Sequence, residues 1–95
     1  AYLVSIAEIR DRDRLKPYAA GAMPLVRAAG AKFLSTGGRK DIELLEGDFG
    51  NLTVNVLQFP SLEALRRFYE DPAYQKLIPI RQSAGDYLLL ELDGG

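Results

Sequence analysis

Apolar residues recur along this chain with two alternating periods, and the changes of period mark out its elements. From Tyr2 to Ile9 the period is two. Tyr2, Val4 and Ile6 share one face and Leu3, Ser5 and Ala7 the other, which predicts a strand. The period then lengthens. Leu15, Tyr18, Ala19, Ala22 and Val26 fall at helical spacing, predicting a helix capped by Asp13 and running to about Ala29. Pro17 falls in its first turn, where the cost is small. Pro24 lies deep inside, removes one hydrogen bond, crowds the Ala20 carbonyl and predicts a kink. Gly30 suits a left-handed C-cap.

A short strand is predicted over Lys32 to Ser35, with Gly37-Gly38 as a turn or bulge. Ile42 to Glu46 either pairs with that strand or continues it, and Gly47 to Asn51 reads as a turn. Leu52 to Phe59 is the clearest strand, with Leu52, Val54 and Val56 on one face and Thr53, Asn55, Leu57 and Phe59 on the other. Ser61 caps a helix through about Tyr69, buried along Leu62, Leu65, Phe68 and Tyr69, with Glu63 placed to pair with Arg66 and Arg67. Asp71-Pro72 starts a short helix that bends or ends near Pro79. Gly85 opens a last strand, Tyr87 to Leu92, with Leu88, Leu90 and Leu92 on one face and Tyr87 and Leu89 on the other.

The order β, α, β, β, α, β predicts an α+β, ferredoxin-like βαββαβ domain spanning residues 1–95, with a four-stranded antiparallel sheet. Its helices can cover one face of that sheet. Strands one, three and four nevertheless carry apolar residues on both faces, where a half-wetted sheet should alternate with polar ones. A patch of that kind is unusual on a soluble monomer. It predicts a homodimer in which a second copy covers the open face.

Composition narrows the chemistry. The 95 residues are 47% hydrophobic and 26% charged, as in an ordinary globular domain. A net charge of −1 gives no field to draw nucleic acid or anionic lipid. Arg10, Arg12, Arg14 and Lys16 are interrupted by Asp11 and Asp13 and read as a solvated mixed face. With no cysteine there is no disulfide, thiolate nucleophile or cysteine metal site, which suits the cytoplasm. No apolar run is long enough to span a bilayer, and Ala1 to Ile9 lacks the basic start of a signal peptide. With no histidine, Ser-His-Asp triads and histidine metal clusters are excluded. Proton transfer would fall to Asp, Glu, Lys, Tyr, water or the substrate itself.

Phe59-Pro60-Ser61, with Ala64 and Phe68-Tyr69, then Asp71-Pro72-Ala73-Tyr74-Gln75 and Ile80-Arg81, resembles the bacterial family called domain of unknown function 1330. Pro24, Gly37-Gly38 and Leu45-Glu46-Gly47-Asp48 also fit its pattern. The resemblance covers nearly the whole chain and is most specific from Phe59 to Arg81. It implies a ferredoxin-like dimeric α/β barrel, in a superfamily of cofactor-independent monooxygenases, isomerases, haem-binding proteins and stress proteins. It implies no particular activity. Many enzymatic members of that superfamily use a histidine, which this chain lacks.

Six residues stand out as candidate ligand-binding groups. Arg81 follows the apolar stretch Leu77-Ile78-Pro79-Ile80; pointing inward it would clamp a ligand carboxylate, and otherwise it pairs with Glu46 or Asp71 or is solvated. Tyr18, Tyr69 and Tyr74 can each turn a ring inward and a hydroxyl toward a pocket edge, Tyr69 foremost, although core packing is the commoner role. Ser5 and Asn55 interrupt apolar strands and by alternation can face the second sheet surface, bonded to each other, to water or to a ligand. Glu46 and Asp48 are too few for a metal site, and Gly37-Gly38-Arg39-Lys40 lacks the spacing of a phosphate loop. No metal, cofactor or catalytic residue is assigned.

These observations lead to a dimer that binds a small, largely apolar organic molecule between sheet and helices, with cofactor-independent oxidation or isomerisation as the chemistry such a site would support. The alternative is a non-catalytic ligand-sensing or stress-related binding module. RNA binding, as in motifs with this strand order, is disfavoured by the near-neutral charge and by Thr53, Asn55 and Leu57 at the middle of the third strand.

Overall fold

A computed structural model describes residues 1–37, 41–47, 50 and 52–93. Alternation produces the strands β1 (Tyr2–Ile9), β2 (Lys32–Gly37), β3 (Leu52–Gln58) and β4 (Gly85–Leu92). Helical spacing produces α1 (Arg12–Ala28), α2 (Leu62–Glu70), α3 (Pro72–Gln75) and α4 (Ile78–Ala84). The sheet is four-stranded in the order β2-β3-β1-β4, and all three pairings are antiparallel. This is the ferredoxin-like α+β arrangement.

Register fixes which residues share a face. Leu3, Ser5 and Ala7 oppose Leu57, Asn55 and Thr53 on one side and Glu91, Leu89 and Tyr87 on the other. This row packs beneath the helices. The core is Leu3, Ala22, Val26, Leu57, Phe59, Leu65, Phe68 and Tyr74, drawn from both layers. The reverse face carries Val4 and Ile6 between Val56 and Val54 on β3 and Leu90 and Leu88 on β4. No helix covers it, and Leu88, Leu90 and Leu92 are 55%, 42% and 51% exposed. Toward β2 the face turns polar, with Ser35 and Lys32 opposite Val56 and Gln58.

Ser5 and Asn55 therefore lie on the helix-covered face, not on the open one. Strands apolar on both sides carry no signal for which side the helices take.

Local chemistry moves several boundaries. The cap of α1 is Asp11, whose carboxylate accepts from the Arg14 N–H at 3.1 Å; Asp13 sits in the first turn instead. The earlier start follows from a tertiary tie, because the Arg10 and Asp11 N–H groups both donate to the Ala84 carbonyl, at 2.8 and 3.1 Å. Pro17 consequently falls in the second turn. At the other end Gly30 has φ 73°, donates to the Arg27 carbonyl, and is followed by an Ala31-to-Val26 bond, a complete Schellman motif.

β2 runs on to Gly37, and its register shifts between Phe33 and Ser35, which places a bulge at Leu34. Residues 42–46 form no strand. Adjacent Leu44 and Leu45 break the alternation a ladder requires, and both are exposed. Gly47 has positive φ, as a turn needs; Gly38, Arg39, Lys40, Asp48, Phe49 and Asn51 lie outside the described residues. Pro79 starts a helix instead of ending one: it occupies the first turn of α4, where the missing N–H costs little.

The junction of α4 and β4 leaves no room for a side chain. A Cβ added at Gly85 would lie 2.4 Å from the Glu8 carbonyl oxygen and 3.0 Å from the Ile9 Cα, both backbone atoms that cannot swing away. Gly85→Ala is expected to lower unfolding stability by about 1–3 kcal/mol through this overpacking. Urea denaturation measures it, and an unchanged midpoint would show that the junction has slack.

Candidate functional site

Between the covered face of the sheet and the helices lies a cavity of about 200 Å³. Its lining combines strand residues Leu3, Ser5, Ala7, Asn55 and Leu57 with α1 residues such as Tyr18, Ala22 and Met23. Phe68, Tyr74, Arg81 and Tyr87 close it from α2, α3, α4 and β4. Most of the wall is aliphatic or aromatic. The polar groups are few.

Packing carries Arg81 into this space. Leu77 lies against α1 at Gly21, where an added Cβ would come within 2.9 Å of the Leu77 side chain. That absence of a side chain lets α4 approach α1. Four residues on, the Arg81 N–H donates to the Leu77 carbonyl at 3.2 Å, and one turn later the Ala84 carbonyl is held by the start of α1. Arg81 is fixed between these two contacts and is only 5% exposed. Its guanidinium sits over the Tyr87 ring, 4.9 Å from the centroid. The Nε atom is buried and has no hydrogen-bond partner. The ion pairs among the described residues involve Arg10, Arg14, Lys16, Arg66 and Arg67, never Arg81. Neither internal carboxylate anticipated for it serves: Asp71 caps α3 through the Ala73 N–H, and Glu46 is exposed.

The tyrosines form the next layer. Tyr74 is 1% exposed and stands among Phe68, Tyr69 and Tyr18, at ring-centroid distances of 4.6, 5.7 and 6.0 Å. The Tyr18 and Tyr74 hydroxyls are hydrogen-bonded at 2.7 Å. Burial pushes the Tyr18 phenol well above its ordinary range; the neighbouring Tyr74 adds to the shift, and the Arg81 guanidinium works against it. Burial likewise raises Tyr87, opposed by Arg81. Both are neutral phenols at physiological pH.

On the sheet, Ser5 and Asn55 face each other across β1 and β3. The Asn55 side-chain oxygen accepts from the Thr36 hydroxyl, which leaves its amide nitrogen as a donor. Arg12 reaches from the start of α1 to the hydroxyl of the cavity-lining Thr53 at 3.4 Å.

Of the six candidates, the structure brings together Ser5, Tyr18, Asn55, Tyr74 and Arg81 around one cavity and leaves Tyr69 outside it. Tyr69 is 38% exposed and borders a shallow depression beside Leu65 and Leu89. Sequence reasoning missed Tyr87 and Thr53. Tyr87 follows Arg81 by six residues across the Gly85 junction, and an arginine and an aromatic flanking a sharp helix-to-strand turn is the signal that could have found it. Among the described residues no group of carboxylates is placed to hold a metal ion. No described helix is long and apolar enough to cross a membrane.

Fold and site together define a ferredoxin-like α+β protein with an internal, arginine-bearing apolar cavity. The chain belongs to the family described as domain of unknown function 1330, which it matches over residues 1–94. No curated protein matches it. Among solved structures it is similar to a protein of unknown function from Rhodopseudomonas palustris, at 20% identity and TM-score 0.80 over 98% of this chain and 80% of that one. It is similar to the At3g17210 protein of Arabidopsis thaliana, at 18% identity and TM-score 0.68 over 99% and 94%. It is also similar to SnoaB of Streptomyces nogalater, a cofactor-independent oxygenase, at 14% identity and TM-score 0.61 over 99% and 93%. At these identities the likeness is one of fold.

The raised phenols predict a pH dependence. The folded Tyr18 and Tyr87 hold their protons to higher pH than the unfolded chain, whose tyrosines ionise near about 10. Their contribution is therefore complete below about pH 10 and lost as pH rises beyond it, at up to ~1.4 kcal/mol per unit for the buried Tyr18 and less for the more exposed Tyr87. Tyr18→Phe is expected to flatten this decline. Urea midpoints of both proteins between pH 8 and 11 measure it, and parallel profiles would refute the assignment.

Proposed function

We propose that this protein binds a small, largely apolar organic ligand in the cavity between sheet and helices, with Tyr18, Tyr74, Arg81, Ser5 and Asn55 as the orienting groups. The cavity itself is the observation that carries the reading. Apolar cavities of ~150 Å³ take up benzene, so one of about 200 Å³ accommodates a single ring with a substituent. The likeness to SnoaB supports a cofactor-independent oxidation as the chemistry, and isomerisation would make the same demands. No histidine is present and no carboxylate lines the cavity among the described residues, so reactivity would rest on the substrate's own acidity. That same lack of a base supports a non-catalytic ligand sensor as the second reading.

Thermal-shift screening of small aromatic and alicyclic compounds tests the reading, followed by turnover assays on the hits. Wild type is expected to gain stability with bound ligand, and Ala22→Leu, which fills the cavity from α1, to lose that gain while remaining folded. Equal shifts in both proteins would place binding elsewhere. Binding without turnover would assign the protein to sensing.

The reading includes a homodimer through the open sheet face. Val4, Ile6, Val54, Val56, Leu88 and Leu90 make a continuous apolar surface of the kind soluble monomers rarely expose. A near-neutral chain without cysteine, working as one domain in the cytoplasm and with no nucleic-acid partner, completes it. Leu90→Lys sets a charge in the middle of that surface. Sedimentation is expected to show wild type as a dimer at micromolar concentration and the variant as a monomer; a monomeric wild type would refute the dimer.

A further inference from the structure

We infer that the ligand of this cavity is a monocarboxylate of about single-ring size, its carboxylate paired with Arg81. This inference rests on the ligand-binding reading above and adds the charge.

The argument is one of inventory. The cavity lining contains one formal charge, that of Arg81, and among the described residues no Asp or Glu to balance it. A guanidinium does not deprotonate in a protein. Its contact with the Tyr87 ring is a weak attraction beside the cost of desolvating a buried ion. The ring alone does not compensate the charge.

The neutral polar groups point the same way, because what they leave unused is donors. In the Tyr18–Tyr74 pair one hydroxyl donates to the other, and the accepting hydroxyl keeps its own proton free for a further partner. Asn55 has its oxygen engaged by Thr36 and its amide nitrogen left over. Arg81 has an unpartnered Nε–H. Such a set complements an acceptor that carries negative charge, and the Arg81 cation disfavours an ammonium group.

The charge count selects among anions. Arg81 alone balances a monoanion; a dianion would also have to draw on Arg12, which lies outside the lining on the Thr53 hydroxyl. A phenol ionises near 10 and would enter neutral at physiological pH, whereas a carboxylic acid is already ionised. A carboxylate also matches the forked geometry of the guanidinium. The aliphatic and aromatic wall then receives the ring.

The experiment uses calorimetric or thermal-shift titration of the whole chain with two probes of equal size, benzoate and neutral benzyl alcohol. Wild type is expected to bind benzoate about tenfold or more tightly than benzyl alcohol. Arg81→Met is expected to lose that preference and keep its affinity for benzyl alcohol; Arg81→Lys, which retains the charge without the fork, should retain part of it. The wild-type comparison decides even where a variant fails to fold. Benzyl alcohol binding as well as or better than benzoate would overturn the carboxylate assignment and leave the cavity reading standing, as would a benzoate preference unchanged in Arg81→Met. If neither probe binds, the cavity reading falls and this inference with it.

Discussion

A guanidinium with no carboxylate beside it among the described residues is the constraint around which this molecule is arranged. Burial of a charged group is tolerated when geometry supplies partners; here Arg81 has an aromatic face and aliphatic neighbours, and its Nε has no acceptor. A chain selected for stability alone would place a methionine or leucine at that point of α4, since apolar replacements of buried charges are neutral or stabilising. That cost is what the proposed ligand role of the arginine accounts for. Its surroundings are built to hold it still: Gly21 admits Leu77 on one side, and the Ala84 carbonyl is tied to the start of α1 on the other.

That rigidity has a source in the sheet. β4 leaves α4 through Gly85 in extended conformation, pressed against the backbone of Glu8 and Ile9. The closeness is possible only without a side chain, and it aligns Tyr87 opposite Ala7 on the covered face. Arginine and tyrosine thus meet because a helix ends and a strand begins with nothing between them. The same pairing register brings Ser5 opposite Asn55 one step further along. Cavity-facing groups from β1, β3 and β4 converge because the β1 ladder sets their heights, and α4 brings Arg81 to them.

Much of this was legible in the sequence. β1, β3 and β4 announce themselves by alternation, α2 by the Ser61 cap and its apolar stripe, and the C-terminus of α1 by Gly30. The start of α1 was not: Asp13 reads as its cap, and the bonds to the distant Ala84 carbonyl set the cap at Asp11 instead. The inner and outer faces of the sheet could not be told apart either, since Leu3 and Val4 are equally apolar; the placement of Ser5 and Asn55 was misjudged for that reason. Arg81 lies in a helix of seven residues, too short for periodicity to say which way it points. Tyr69 and Tyr74 look alike in sequence. Only the break between α2 and α3 at Asp71 separates them, turning Tyr74 into the core and Tyr69 toward solvent.

The absence of histidine acquires a meaning beside this geometry. A cavity that holds neutral phenols, amide and guanidinium donors and no base can steady negative charge but cannot create it by removing a proton. On the proposed reading, a ligand that reacts here as an anion must enter ionised or be acidic enough to ionise next to Arg81. Tyr18 cannot assist as a phenolate, because the burial that keeps it in place also keeps it protonated, and Tyr74 stabilises that neutral form by hydrogen bonding to it. The two ends of the cavity differ accordingly: the wall on α1 and β3 is largely apolar, while the other end carries the arginine charge. A reaction at this site would draw its reactivity from the ligand, and a sensing role would need no more than the difference between an empty cavity with an unsatisfied cation and a filled one with the charge balanced.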